Sequence, residues 1–222
     1  DEILKLLMSG YSWAAIQGLK DAGLHHGLLP LLDHILDDGE ASKGANSFVK
    51  LALANTDQRI QSGKSVSAGF LFATLLWPDL LKNWKANIAK GLANIPALHD
   101  AMDDTIATQS SGMTIQRRFE SDMREIWSMQ PRFERRVGRY PYRLIESPRF
   151  RAGYDFMLLR CATGELNPAI GQWWTDFIAA DPSKQDELMA AIKNESGNTP
   201  SPAKRRRRRK PKSATPPESA AS

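Results

Sequence analysis

Between Ile115 and Arg151 the sequence places ten arginines (Arg117, Arg118, Arg124, Arg132, Arg135, Arg136, Arg139, Arg143, Arg149 and Arg151), no lysine and five acids (Glu120, Asp122, Glu125, Glu134 and Glu146). A guanidinium is a planar fork of donors that grips phosphate oxygens in pairs and stacks on flat rings, whereas an ammonium is a mobile point charge. Arginine used without lysine therefore points to recognition of a structured polyanion, with RNA phosphates as the expected partner. Trp127, Tyr140 and Tyr142 within this stretch and Tyr154 just beyond it are candidate platforms for base stacking, although each falls on or near the apolar register that builds a core. Neighbouring acids compete for the cations. Glu120 stands four residues before Arg124, and Glu146 stands three from both Arg143 and Arg149, so part of the set is expected in local helical ion pairs.

A second cationic run, Lys204, Arg205, Arg206, Arg207, Arg208, Arg209, Lys210 and Lys212, suits salt-dependent, sequence-independent capture of nucleic acid; a localisation signal or contact with anionic lipid are its competing uses. The formal charge of the whole chain is only +5, so everything outside these two regions is acidic on balance. Cations concentrated on an otherwise acidic chain favour one polyanionic partner more than a high isoelectric point alone would.

Positioning these cations falls to helices, because apolar residues recur at helical spacing throughout and never alternate as a strand would. Ile115, Phe119, Met123, Ile126 and Trp127 mark one side of a helix, with Arg117, Arg118 and Arg124 off that side. Phe150, Tyr154, Leu158 and Cys161 mark another, with Arg149 and Arg151 off it. Ser12, Ser47, Ser67, Thr114 and Asp181 are the expected N-caps, and Gly10, Gly23 and Gly63 the expected stops. Pro78, Pro96, Pro141, Pro148 and Pro182 suit first helical turns. A helix is expected over 24–36, a polar loop over 37–47, a turn at 110–112 and loss of order after Asn194. The fold class expected is all-α: a helical body over 1–112, an arginine-rich helical region over 113–195 and a disordered basic tail over 196–222.

Other chemistry is poorly supplied. Cys161 is the only cysteine, which rules out an internal disulfide and a thiolate metal cluster, suits a reducing compartment, and reads as a small buried residue. His25, His26, His34 and the His99-Asp100 dipeptide show no metal-ligand spacing, and Asp37-Asp38 and Asp103-Asp104 are adjacent pairs that would point apart. Phosphate-loop, dinucleotide, zincin and serine-nucleophile motifs are missing. The longest apolar run, Ala68 to Trp77, falls well short of the roughly 20 residues of a membrane span, so no span is expected and a cytoplasmic setting is. Asp1 opens the chain with Ile3, Leu4 and Leu7 already in helical register, which suggests a piece of a longer protein.

The segment RFESDMREIWSMQPRFERRVGRYPYRLIESPRFRAGYDFMLLR, residues 118–160, resembles the arginine-rich C-terminal region of the bacterial poly(A) polymerase family, nucleotidyltransferases related to CCA-adding enzymes. DEILKLLMSGYSWAAIQGLKDAGL, LANTDQRI and FLFATLLWPDLL are similar to segments that follow the catalytic head in that family, so the resemblance runs over about residues 1–212. It implies RNA contact by the arginine region and by the basic tail. The family's head holds ATP and two magnesium ions through a Gly-Ser dipeptide and an Asp-x-Asp pair, and selects the base with a Glu-Asp-x-x-Arg helix. This chain contains no Gly-Ser, Asp-x-Asp or Glu-Asp, so no catalytic, metal or ATP-binding residue carries over. The resemblance thus implies a grip on RNA 3′ ends in polyadenylation and RNA decay, with ATP and Mg2+ serving the parent enzyme and RNA-decay proteins as further partners. The body of a CCA-adding enzyme and a basic protein-interaction module are the alternatives.

Overall fold

The computed structural model describes residues 2–24, 43–110 and 115–197, all helix and turn. In chain order the helices are α1 (Glu2–Leu7), α2 (Ser12–Asp21), α3 (Lys43–Gln61), α4 (Ala68–Leu75), α5 (Trp77–Ala89), α6 (Asn94–Ser110), α7 (Arg117–Phe133), α8 (Tyr140–Ile145), α9 (Phe150–Ala162), α10 (Pro168–Ala179) and α11 (Pro182–Gly197). The expected all-α fold is what the described residues form. His25, His26, His34, the Asp37-Asp38 pair, Thr114, nearly all of the helix expected over 24–36 and the basic run from Lys204 to Lys212 lie outside them.

Several boundaries differ from their local sequence signals. Ser12 does not cap α2: it is the first helical residue, and Asp57 of α3 accepts from the Ser12 and Trp13 amides at 2.9 and 3.4 Å. A carboxylate is the stronger acceptor for orphan helix amides, and α3 packs against α2 at this end. Ser47 does not cap α3 either; with no proline to stop propagation the helix begins at Lys43, inside the expected 37–47 loop. Pro148 precedes α9 rather than opening it, because the Phe150 amide closes a tight turn on the Ser147 carbonyl at 2.9 Å. α11 runs to Gly197, three residues past Asn194. Ser67 and Asp181 do cap, accepting from the Phe70 and Lys184 amides at 3.4 and 2.9 Å.

Two buried apolar clusters form among the described residues. The first joins α1 to α6 with the first half of α7 around Leu53, Leu71, Trp77, Leu98, Met102 and Trp127. The second gathers Met129, Phe133, Phe150, Tyr154, Trp174 and Phe177 from α7, α9 and α10. α7 and α9 thread both, since Met123, Ile126, Trp127, Phe156 and Leu159 belong to the first and their helix neighbours to the second. Helices cross closely where a side chain is missing: a Cβ at Gly69 would sit 2.5 Å from Asp122 Cβ, and one at Gly153 2.6 Å from Met129 Sδ. Indole N–H groups then tie elements together, Trp127 donating to the Ala73 carbonyl at 3.1 Å and Trp174 to the Phe133 carbonyl at 2.9 Å, each satisfying a polar group that burial would otherwise strand.

Candidate nucleic-acid interface

The apolar side of α7 is buried as its spacing requires, with Met123, Ile126 and Trp127 sealed in the core, and this turns Arg117 and Arg118 outward to solvent. Arg118 lies 4.6 Å over the Phe119 ring, a cation–π contact that holds the guanidinium while leaving its edge donors open. Arg124 reaches across to α6 and pairs with Asp103 at 2.7 Å, so its partner is not the expected Glu120. Arg132 is exposed in the last turn. The turn that follows carries Gly138 at φ 59, a left-handed conformation that glycine adopts without strain. Around it Arg135 stacks over Tyr140 at 4.6 Å and Arg136 over Trp173 at 5.4 Å, while Arg139 and, on α8, Arg143 are exposed.

Arg149 precedes α9 and pairs with Asp122 at 2.5 Å and Glu125 at 3.9 Å on α7, rather than with Glu146. Arg151 meets Asp155 one turn later through two contacts of 3.1 Å. Among the described residues acids pair with Arg124, Arg149 and Arg151, and rings support Arg118, Arg135 and Arg136. Arg117, Arg132, Arg139 and Arg143 have no acid within ion-pair distance among the described residues, and all four are exposed. Exposed guanidinium groups held on a rigid helical frame can bind phosphate with little side-chain desolvation and with salt-dependent strength.

Two of the four candidate stacking rings are unavailable. Trp127 is fully buried with its N–H bonded, and Tyr154 is 6% exposed with its hydroxyl 2.7 Å from Thr175 Oγ1. Tyr142 is half-buried and donates its hydroxyl to Asp186 at 2.6 Å; that bond to a carboxylate raises its pKa above the ordinary tyrosine value. Tyr140 stands under Arg135. Cys161 is buried, and loss of hydration raises its thiol pKa, which keeps it protonated and inert at neutral pH. His99 and Asp100 are both exposed on α6, and among the described residues no three His, Cys, Asp or Glu side chains converge as a metal site.

Two arginines escaped the sequence reading. Arg160, 4% exposed, donates from Nε to Glu165 at 2.8 Å and from Nη1 to Gln130 at 3.3 Å, and lies 4.9 Å over the Trp77 ring, whose N–H donates to the same Glu165 at 2.7 Å. It falls within a run of core residues, and its acid lies beyond the Gly164 turn, so only its flanking by Phe156, Leu159 and Cys161 hinted at burial. Arg59 on α3 lines a cleft of about 710 Å³ together with Arg149 and Arg151. Nothing in its local sequence distinguishes it from a solvated helix residue.

Comparison with known families and proteins agrees with this arrangement. Residues 90–212 match the family described as "Polymerase A arginine-rich C-terminus", and residues 1–36 match "Probable RNA and SrmB- binding site of polymerase A". Similar curated proteins include poly(A) polymerase I of Salmonella typhimurium, 33% identical over 210 residues, and that of Escherichia coli O157:H7, 32% identical over 210 residues; the alignments cover 92% of this chain and 44% of each relative. Poly(A) polymerase I of Haemophilus influenzae is 30% identical over 209 residues, covering 92% of this chain and 45% of its own. The chain thus spans less than half the length of the curated relatives it matches. With a helical frame that turns arginines outward along the matched stretch, the chain belongs to the poly(A) polymerase family, corresponding to its arginine-rich C-terminal part.

Proposed function

We propose that this chain holds RNA 3′ ends for a poly(A) polymerase, supplying affinity while a catalytic head transfers AMP from ATP with the help of magnesium. The observation that carries the reading is the exposed set Arg117, Arg132, Arg139 and Arg143, which no described acid neutralises within a stretch that matches the family. Roles divide along the chain: residues 1–112 serve as the body behind the head, 113–195 as the grip, and 196–222, with its run from Lys204 to Lys212, as the electrostatic capture arm. The setting is cytoplasmic, and a protein of RNA decay docks on the 1–36 region, whose family description names a protein as well as RNA. No described helix is long and apolar enough to cross a membrane.

Salt dependence tests the grip. Binding of single-stranded RNA weakens on a log-log plot by about 0.7 per phosphate neutralised. Replacing Arg117, Arg132, Arg139 and Arg143 by glutamine flattens that slope by about 0.7 for each cation that meets a phosphate. An unchanged slope would place the RNA on another surface.

A further inference from the structure

The cleft bounded by α3, the 63–67 turn, α4 and the length of α9 is distinct from the exposed set that carries the proposed grip. Its volume of about 710 Å³ falls within the roughly 300–1,000 Å³ typical of small-ligand sites. Three arginines line it, Arg59, Arg149 and Arg151, with Asp155 the only acid among its lining residues; Arg149 is taken up by Asp122 and Glu125, which leaves Arg59 and Arg151 as the cations at the opening. The cationic rim surrounds an apolar interior that includes Leu51, Val66 and Leu158, and Phe70 is its one aromatic ring. Phe70 is half-buried and stands at 82° to Phe156 behind it, with centroids 6.2 Å apart, which fixes its orientation. From the α3 wall the exposed amides of Asn55 and Gln58 offer both donors and acceptors.

We propose that this cleft takes one unpaired RNA nucleotide, its base against Phe70 and its adjoining phosphates on Arg59 and Arg151. The inference rests on the RNA-holding reading and adds to it a defined pocket. An aromatic floor accepts any base by its flat face, amides on the wall can meet a base edge, and cations at the opening meet the backbone; a paired base is too encumbered to enter. The arginines can serve. Arg59 spends one of its five donors on the Ser65 carbonyl, at 3.3 Å, and Arg151, 76% exposed, is held by a solvated pair with Asp155 that a phosphate can displace at little cost. Arg149 stays bound to Asp122 and Glu125 and is left out of the phosphate contact. A helix of another protein would find the apolar interior suitable, but Arg59 and Arg151 at the rim match a phosphate chain better.

Two variants separate the contributions. Phe70→Leu keeps apolar volume and removes the stacking face; Arg59→Gln with Arg151→Gln removes two exposed cations, together with the Ser65 hydrogen bond and the Asp155 pair. Each weakens binding of a short single-stranded RNA by about tenfold. The leucine variant leaves the salt slope unchanged, and the glutamine pair lowers it by about 1.4. Thiouridine placed in the same RNA crosslinks to peptides from 55–70 or 148–155. Crosslinks confined to other peptides, or RNA affinity unchanged in both variants as a protein occupant would leave it, overturns the cleft proposal while salt-dependent RNA binding stands. Absence of RNA binding by the unaltered chain would instead overturn the RNA-holding reading.

Discussion

At the scale of single residues, the most consequential group is one largely withdrawn from solvent. Arg160, Glu165, Gln130 and Trp77 form a closed set in which a buried cation is matched by an acid, an amide and a ring, and Gln130 in turn donates to the Ile126 and Gly153 carbonyls at 2.9 and 3.2 Å. A buried ion pair gains little over apolar residues of the same shape, but losing one partner leaves the other charge uncompensated, at about 3–5 kcal/mol. Glu165→Leu is therefore expected to lower stability by about 3 kcal/mol in urea unfolding. Adding Arg160→Met to that variant should recover most of the loss, because no charge then remains buried. Strictly additive losses in the double variant would show that the two side chains act independently.

At the scale of elements, helix ends are set by neighbours as much as by local sequence. Asp57 reaches α2 from α3, so Asp57→Ala should cost about 1 kcal/mol of stability, as loss of an N-cap does. Ser12 would be the cap on local signals alone, yet its hydroxyl is buried without a hydrogen-bond partner among the described residues. Ser12→Ala should accordingly leave urea stability unchanged or raise it. A loss of about 1 kcal/mol on Ser12→Ala would return the capping role to the serine. The same physics decides what the sequence made legible. The core side of α7 followed from residue spacing, because a 3.6-residue period needs no partner to be read, whereas α9 also buries Phe156, Met157 and Leu159 off its expected face. Ion pairing did not, since Asp103 and Asp122 approach from α6 and α7 and displace Glu120 and Glu146 as partners of Arg124 and Arg149. Nor did the cleft, whose walls are brought together only when α3 and α9 pack.

At the scale of the molecule, the two apolar clusters are joined by the helices that carry the arginines. α7 and α9 each contribute side chains to both, and Trp174 bonds the Phe133 carbonyl where α7 ends, so the second cluster braces the first through shared backbone. The proposed division of roles near residue 112 is then a division of surface, with one cooperative frame beneath it. Trp174→Phe removes the indole donor, leaves a buried carbonyl unpaired and is expected to cost about 2 kcal/mol. If the clusters unfold together, that loss lowers the urea midpoint of helicity and of tryptophan fluorescence equally, and the two signals keep one shared transition. A split in which fluorescence from the second cluster falls first, with helicity retained, would mean that α7 can fray beyond Trp127. The arginines from Arg132 onward would then be presented on a separately melting segment, which would weaken their hold on phosphate by the entropy of ordering them.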